Sequence, residues 1–382
     1  MSAIPRTVYE EEHELFRSSV RKFLETEAAP YHAQWEKDGQ VDRALWLKAG
    51  EQGFLSPSVK EEYGGVGVDF RYNAIVDEEC GRSGFTGIGW GLHSDIAVPY
   101  IERYGSEEQK QKYLPKCVSG EIVMAIAMTE PAAGSDLQGI KTTAVKDGDD
   151  YIINGSKTFI TNGQHADLVI VVAKTDPTAG AKGISLFLLE AGTPGFEKGK
   201  NLEKIGLKAQ DTSELFFQDV RVSKDQLLGE EGMGFIYMMQ DLPQERLNVS
   251  IIAIANAESI LEQTVAYVKE RNAFGKSIAT FQNTQFKLAE LETQVSVARV
   301  FLDRCLELHI EHKFDSVMAA KAKLMTTDLQ CKVIDECLQL HGGYGFMWEY
   351  PVARAFADSR VQRIYAGTNE VMKLIIGRDL LK

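Results

Sequence analysis

Five short stretches concentrate the residues able to do chemistry. Met128 to Asp136 (MTEPAAGSD) sets small residues and a serine in a row, which lets backbone N–H groups come close to an anionic or electron-rich ligand. Arg271 to Lys276 (RNAFGK) with Gln282, and Gln339 to Phe346 (QLHGGYGF), combine a guanidinium with glycines at helix-to-helix turns. A guanidinium supplies charge and fork geometry for a diphosphate, and glycines let the backbone approach it. Leu242 to Leu247 (LPQERL) carries a carboxylate, Glu245, followed by Arg246, and Tyr365 to Glu370 (YAGTNE) is a small-residue turn. Each stretch taken singly also has an ordinary reading. The first could be a strand-end turn and Arg271 a solvated helix charge. Glu245, two residues past Pro243, could merely favour the first turn of a helix.

Other chemistries find less support. His309 and His312 stand three apart with no third ligand nearby, so they read as helix-face residues rather than metal ligands, and no metal is expected. His341, beside the glycine pair, reads as structural. Gly65-Val66-Gly67 and Gly343-Tyr344-Gly345 lack the third glycine of a dinucleotide-binding turn. Five cysteines without CxxC spacing argue against a disulfide framework or a zinc site and suggest a reducing compartment. The net charge of -13 gives no general attraction to nucleic acid or an anionic bilayer, so an anionic ligand must be met by local arginines, backbone amides and helix ends. No run approaches the roughly 20 apolar residues of a membrane span. The N-terminal MSAIPRTVYEEEHELF has neither a secretory core nor an Arg-rich transit character, so a cytoplasmic protein is expected, a processed organellar form being the alternative.

The elements that must position these stretches follow from length and periodicity. At 382 residues the chain exceeds the roughly 250 to 300 at which one core stops growing, so two or three domains are expected. Residues 1–122 read as helices, with a capping-box signal at Ser106 and Gln109. Residues 123–228 hold short β-prone runs, including Tyr151 to Ile153 and Thr158 to Thr161, with Asn154-Gly155 expected to turn a hairpin between them. Residues 229–382 return to helix. There Leu288, Leu291, Val295, Ala298, Leu302, Cys305 and His309 form the three-four stripe of a bundle core. Helical, sheet, helical is an α+β order and not the alternation of a doubly wound sheet.

At the stretches named above the chain resembles the acyl-CoA dehydrogenase family, nearly throughout its length and in the same order. The resemblance implies an N-terminal helical bundle, a central β-barrel-like domain and a C-terminal four-helix bundle. It implies bound FAD, with Thr129 and the Met128 backbone facing the flavin pyrimidine edge and Gly134 and Ser135 near its phosphates. Ser135 would also reach the CoA. Phe159, Ile160 and Thr161 would form a second wall across the hairpin, with Phe159 where the family often has Trp. Arg271, Phe274, Gln282, Gln339, Gly342 and Gly343 would serve the FAD of a neighbouring subunit, which implies an oligomer, a tetramer of paired dimers. Gly367, Thr368, Asn369 and Glu370 complete the cofactor set, and Leu242, Arg246 and Tyr365 join Ser135 against the substrate.

Removal of an α-hydrogen from a thioester needs a positioned carboxylate and stabilisation of the enolate-like oxygen. Many family members carry that carboxylate immediately after the Tyr of the C-terminal motif, where this chain has Ala366. The long-chain and isovaleryl branches place it on the first long helix of the last domain, and the matching residue is Glu245. The resemblance therefore implies α,β-dehydrogenation of a medium- or long-chain or branched acyl-CoA, in fatty acid β-oxidation. Glu245 would be the base, and the Ala366 backbone N–H a donor to the thioester carbonyl. An electron-transfer flavoprotein would be the acceptor. The alternatives are an acyl-CoA oxidase or flavin monooxygenase on the same scaffold, or a catalytically silent CoA-binding protein.

Overall fold

Apolar stripes at three- and four-residue spacing become helices and β-branched runs become strands, in the helical, sheet, helical order. The computed structural model describes residues 4–85 and 87–382. Before the sheet come α1 (Glu11–Phe23), α2 (His32–Asp38), α3 (Arg43–Glu51), α4 (Phe70–Ser83), α5 (Val98–Tyr104) and α6 (Glu107–Val118). A π-turn, Leu92–Ala97, leads into α5. The capping box at the start of α6 forms as expected: Gln109 N donates to Ser106 Oγ at 3.2 Å, and Ser106 N to Gln109 Oε1 at 3.1 Å.

The sheet comprises β1 (Met124–Ala127), β2 (Thr143–Asp147), β3 (Asp150–Thr161), β4 (Leu168–Lys174), β5 (Ile184–Glu190), β6 (Phe196–Asn201), β7 (Thr212–Ser223) and β8 (Leu227–Leu228). The strand order is β6-β7-β3-β2-β4-β5-β8, with β1 parallel to β4. Among the described residues its two ends, β6 and β8, do not pair, so the barrel-like domain is not a closed barrel. Strands β4 and β5 are buried on both faces, which explains their unbroken apolar runs. Side chains alternate across a strand, so Leu168, Ile170 and Val172 join a core with Tyr100, Ile101 and Leu114 of the helices. Val169, Val171 and Ala173 join the core shared with β3 and β7.

Asn154-Gly155 does not turn a hairpin. It lies inside β3, and the turn falls earlier, at Gly148-Asp149 between paired Asp147 and Asp150. Opposite Asn154, β7 carries an extra residue, Asp219, in the left-handed region (φ 49°). The Asn154 side chain holds this bulge by donating from Nδ2 to Asp219 Oδ1 at 3.0 Å and accepting from Asp219 N at 2.8 Å. Gly155 is required by close approach instead: a Cβ there would meet Thr142 Oγ1 at 2.4 Å.

After the sheet come α7 (Gly234–Glu270), the two-residue strands β9 (Asn272–Ala273) and β10 (Lys276–Ser277), α8 (Gln282–Ile310), α9 (Ser316–His341), α10 (Pro351–Ser359) and α11 (Asn369–Leu380). The stripe predicted on α8 faces the bundle core, with Leu291, Val295, Ala298, Leu302 and Cys305 buried against Leu247, Ile251 and Ile254 of α7 and Val333 and Ile334 of α9. Phe70 and Ala74 of α4 enter the same core. A buried ion network reinforces that junction. Glu78 of α4 accepts from Arg6 (2.7 Å), Arg17 (2.6 Å) and Arg299 of α8 (2.9 Å), and Arg6 also reaches Asp303 at 2.7 Å. Burial alone would raise the Glu78 carboxyl, but Arg6 and Arg299 hold it far below the usual range.

Candidate active site

Glu245 does not begin a helix. The first residue of α7 is Gly234, and Pro243 lies inside the helix, so the helix-start explanation of Glu245 fails. The side chain is 5% exposed, and its Oε1 accepts from Tyr100 Oη of α5 at 3.1 Å. Burial pushes the carboxyl up to about 7, against the Tyr100 hydrogen bond and the charges of Arg246 and Arg103, which favour the ionised form. A carboxylate balanced near neutrality can both hold and release a proton in the working range. Burial, reinforced by Glu245, raises the Tyr100 phenol well above its usual value, so it stays a donor.

Arg246, the next residue, is buried with its charged form disfavoured by burial, and Glu245 partly offsets this. Its Nε donates to the Ala366 carbonyl at 3.2 Å, which ties the helix turn bearing Glu245 to the YAGTNE loop. Ala366 itself lies in the left-handed region (φ 51°). Lys323 of α9, fully buried, pins the following residues by donating to Gly367 O at 2.9 Å and Asn369 Oδ1 at 2.8 Å. Asn369 Nδ2 in turn donates to Thr327 Oγ1 and Asp328 Oδ1, and Thr368 caps α11 through Val371 N. Leu242, one turn before Arg246, is buried, whereas Tyr365 is 36% exposed and Glu370 is exposed.

The β-domain stretch is held by a second buried ion pair. Lys157 of β3 donates to Glu130 Oε1 at 2.9 Å and to the Met128 carbonyl at 3.0 Å, and Thr158 N donates to Thr129 O at 2.9 Å. Glu130 also accepts from the Lys141 and Thr142 amides. Burial lowers the Lys157 ammonium to about 8 despite Glu130. A bulge between Lys157 and Ile160 puts Phe159 in the left-handed region (φ 59°) and leaves it 67% exposed. Phe159 to Thr161 therefore stand on the strand that clamps Met128 to Glu130, not across a hairpin from it. Ile160 is buried, Thr161 half-buried, and Gly134 and Ser135 are exposed.

The remaining cofactor positions gather elsewhere. Arg271 caps the end of α7 and lies over the Tyr344 ring at 5.5 Å, which brings it beside Gly342 and Gly343. Phe274 is 96% exposed, and Gln282 and Gln339 are exposed as well. Among the described residues no carboxylate pairs with Arg271, and no hydrogen bond, ion pair or ring contact joins this group to the Met128 and Phe159 segments. A Cβ built on Gly134, Gly342 or Gly343 meets nothing within 4 Å, so these backbones face open space. Exposed aromatic rings, an unpaired guanidinium and open glycine backbone together fit a group carrying a flat ring and a diphosphate. His341 is stacked on Tyr267 at 4.1 Å and bonded to Thr264, a structural setting. Among the described residues no group of three His, Cys, Asp or Glu could hold a metal, and no helix is long and apolar enough to cross a membrane.

Tyr100, Lys157, Glu130 and Lys323 escaped the sequence reading. Each is one polar residue in an amphipathic pattern, indistinguishable there from a solvated one.

This fold and this constellation are those of one flavoprotein class, and the chain belongs to the acyl-CoA dehydrogenase family. The family's N-terminal, middle and C-terminal domain profiles match residues 10–121, 125–220 and 232–381. The chain is 55% identical over 378 residues to the mitochondrial long-chain specific acyl-CoA dehydrogenase of Sus scrofa, covering 98% of this chain and 88% of that protein. Its structure is similar to that of an acyl-CoA dehydrogenase from Geobacillus kaustophilus, with 54% identity, a TM-score of 0.96, and coverage of 98% of this chain and 100% of that one. A glutaryl-CoA dehydrogenase from Mycobacterium smegmatis in complex with FADH2 is 29% identical, with a TM-score of 0.91 over 98% of this chain and 95% of that one.

Proposed function

We propose that this enzyme binds FAD and removes two hydrogens across the α and β carbons of a medium- or long-chain or branched acyl-CoA, giving the trans-2-enoyl-CoA, with Glu245 as the general base. The observation that carries this is the buried Glu245 carboxyl, held at Tyr100 and poised near neutrality, on a helix turn tied through Arg246 to the Ala366 loop. Glu245 takes the α-proton. The backbone N–H of Ala366 donates to the thioester carbonyl and stabilises its developing negative charge. Bound FAD supplies acceptance of the β-hydrogen as hydride. Leu242, Arg246, Tyr365 and Ser135 contact the substrate. Met128, Thr129, Gly134, Ser135, Phe159, Ile160, Thr161, Gly367, Thr368, Asn369 and Glu370 hold the cofactor. Arg271, Phe274, Gln282, Gln339, Gly342 and Gly343 hold the cofactor of a second subunit, a division supported by their exposure and separation within one chain.

Glu245→Gln keeps the shape but cannot accept a proton, so acyl-CoA should bind while flavin reduction falls by roughly 10²- to 10⁴-fold. Adding Ala366→Glu should restore part of the rate, because relatives carry their carboxylate at that place. Near-normal flavin reduction in Glu245→Gln would remove Glu245 from the mechanism, and binding without bleaching in the unaltered protein would mark a silent CoA-binding protein. We further propose a homotetramer built as a dimer of dimers, which a flavin-saturated monomer in sedimentation would refute. The acceptor is an electron-transfer flavoprotein; peroxide release matching the rate with an artificial acceptor would make the protein an oxidase instead. Domain limits at 122/123 and 228/229 are testable by limited proteolysis. A cytoplasmic location, consistent with five free cysteines, is testable by fractionation.

A further inference from the structure

We propose that Asp77 and Asp95 share one proton between them and, as that acid pair, position the turn of α7 that carries Glu245. Asp77 lies on α4 and Asp95 in the π-turn Leu92–Ala97, and each is 2% exposed. Their carboxyls converge on a single nitrogen: Asn248 Nδ2 donates to Asp77 Oδ2 at 2.7 Å and to Asp95 Oδ2 at 3.0 Å. The two carboxyls therefore sit side by side at one amide group, where two ionised carboxylates would bring like charges together and a proton on one of them removes that repulsion. Asn73 Nδ2 donates to Asp95 Oδ1 at 2.6 Å.

Among the described residues nothing around the pair neutralises a second charge. On α4 the neighbours are Asn73, Cys80 and Glu78, whose charge is committed to Arg6, Arg17 and Arg299. On α7 they are the amides of Gln244 and Asn248, and from the C-terminal segment Tyr365 is close enough to feel Asp77. Arg103 is engaged by Asp241 and Gln244. Among the described residues no Arg, Lys or His forms an ion pair with either carboxyl. Ionising both of two buried carboxyls that meet at one amide nitrogen, without a cation, is strongly disfavoured. Burial, then repulsion from Asp95, raises Asp77 well above the carboxylate range, and burial raises Asp95 as well.

The pair grips one stripe of α7. Asn248 binds both carboxyls, Gln244 one turn earlier donates to the Asp95 carbonyl at 2.7 Å, and Asp241 is held by Arg103, which also reaches Gln244 Oε1 at 2.6 Å. These residues lie three and four apart, on one face of the helix. Glu245 follows Gln244 directly, so the grip sets the rotation of α7 that aims its carboxyl toward Tyr100. The positioning role rests on Glu245 as base; the shared proton does not.

Asparagine mimics the protonated form, so Asp95→Asn and Asp77→Asn test the pair. A carboxyl whose native pKa is raised stabilises the fold at low pH and loses that contribution as pH rises through the native value. The Asn variants escape this loss. They should melt above the parent by a margin that widens as pH rises from the ordinary carboxylate range through about 6 and beyond. In positioning, Asp95→Asn should bleach flavin with acyl-CoA within about threefold of the parent, whereas Asp95→Ala should bind acyl-CoA equally but bleach at least about tenfold more slowly. A margin that shrinks or reverses with rising pH would overturn the shared proton, and would do so even if Asp95→Ala failed to fold. Bleaching by Asp95→Asn as slow as by Asp95→Ala would overturn the positioning role. Failure of Glu245 as base would appear separately, as normal bleaching in Glu245→Gln with the melting margin intact.

Discussion

Replacing Tyr100 by Phe should move the pH dependence of flavin reduction to higher pH. Tyr100 donates to Glu245 at 3.1 Å and favours the ionised carboxylate, so its loss leaves burial less opposed and raises the carboxyl further above about 7. A hydrogen bond to a charged group is worth about 1.5 to 3 kcal/mol. At about 1.4 kcal/mol per unit, the smaller figure corresponds to a rise of about one pKa unit. Near pH 7 the ionised fraction would then fall from about one half to about a tenth, a roughly fivefold loss of rate that vanishes at high pH. The ring contact of Tyr100 with Tyr104, 6.0 Å between centroids, does not need the hydroxyl, so packing should survive. Stopped-flow bleaching at subsaturating acyl-CoA, from about pH 6 to about pH 10, reports the free enzyme's group. A Tyr100→Phe profile superimposed on the parent's, or displaced to lower pH, would refute the assignment of this carboxyl as the ionising base.

Two further outcomes follow from buried groups. Lys157→Met leaves Glu130 buried without its cation and should cost about 3 to 5 kcal/mol in chemical denaturation, with flavin lost on gel filtration. Adding Glu130→Gln should recover part of it, and simple additivity of the two losses would count against the pair. His93 accepts from Met124 N at its Nδ1 and donates from Nε2 to Cys117 O, so burial holds it neutral, with its pKa lowered to about 4. Its contribution is full above its unfolded value and fades as pH falls toward about 4, by about 3 kcal/mol in all. His93→Gln should flatten the fall in melting temperature between about pH 7 and about pH 4, and an unchanged slope would show that His93 is not the group protonated.

The helical, sheet, helical order and the α8 stripe were legible because each rests on a long periodic signal. Asn154-Gly155 misled because the same dipeptide that turns a hairpin also serves a straight strand facing a bulge. There the asparagine satisfies Asp219 and the glycine clears Thr142, and both demands come from residues distant in sequence. Glu245 was legible only by comparison with the place where Ala366 stands. Its partner Tyr100 lies 145 residues away, and no local pattern marks that distance. Lys157 and Lys323 were invisible for a related reason: a buried ammonium needs carbonyls and carboxylates that only the assembled chain brings together.

The three arginines around Glu78 also bear on how the chain is made. Arg6 and Asp303 are 297 residues apart, yet they belong to one ion cluster. A ribosome adding about 5 to 20 residues per second would need roughly 15 to 60 seconds after Arg6 emerges before α8 is available. Throughout that interval α4 must carry Glu78 without Arg299, and Phe70 and Ala74 lack the α7 and α8 surface that covers them. The helices made first therefore reach their final packing only after the last long helices emerge, and until then that apolar face stays open to water.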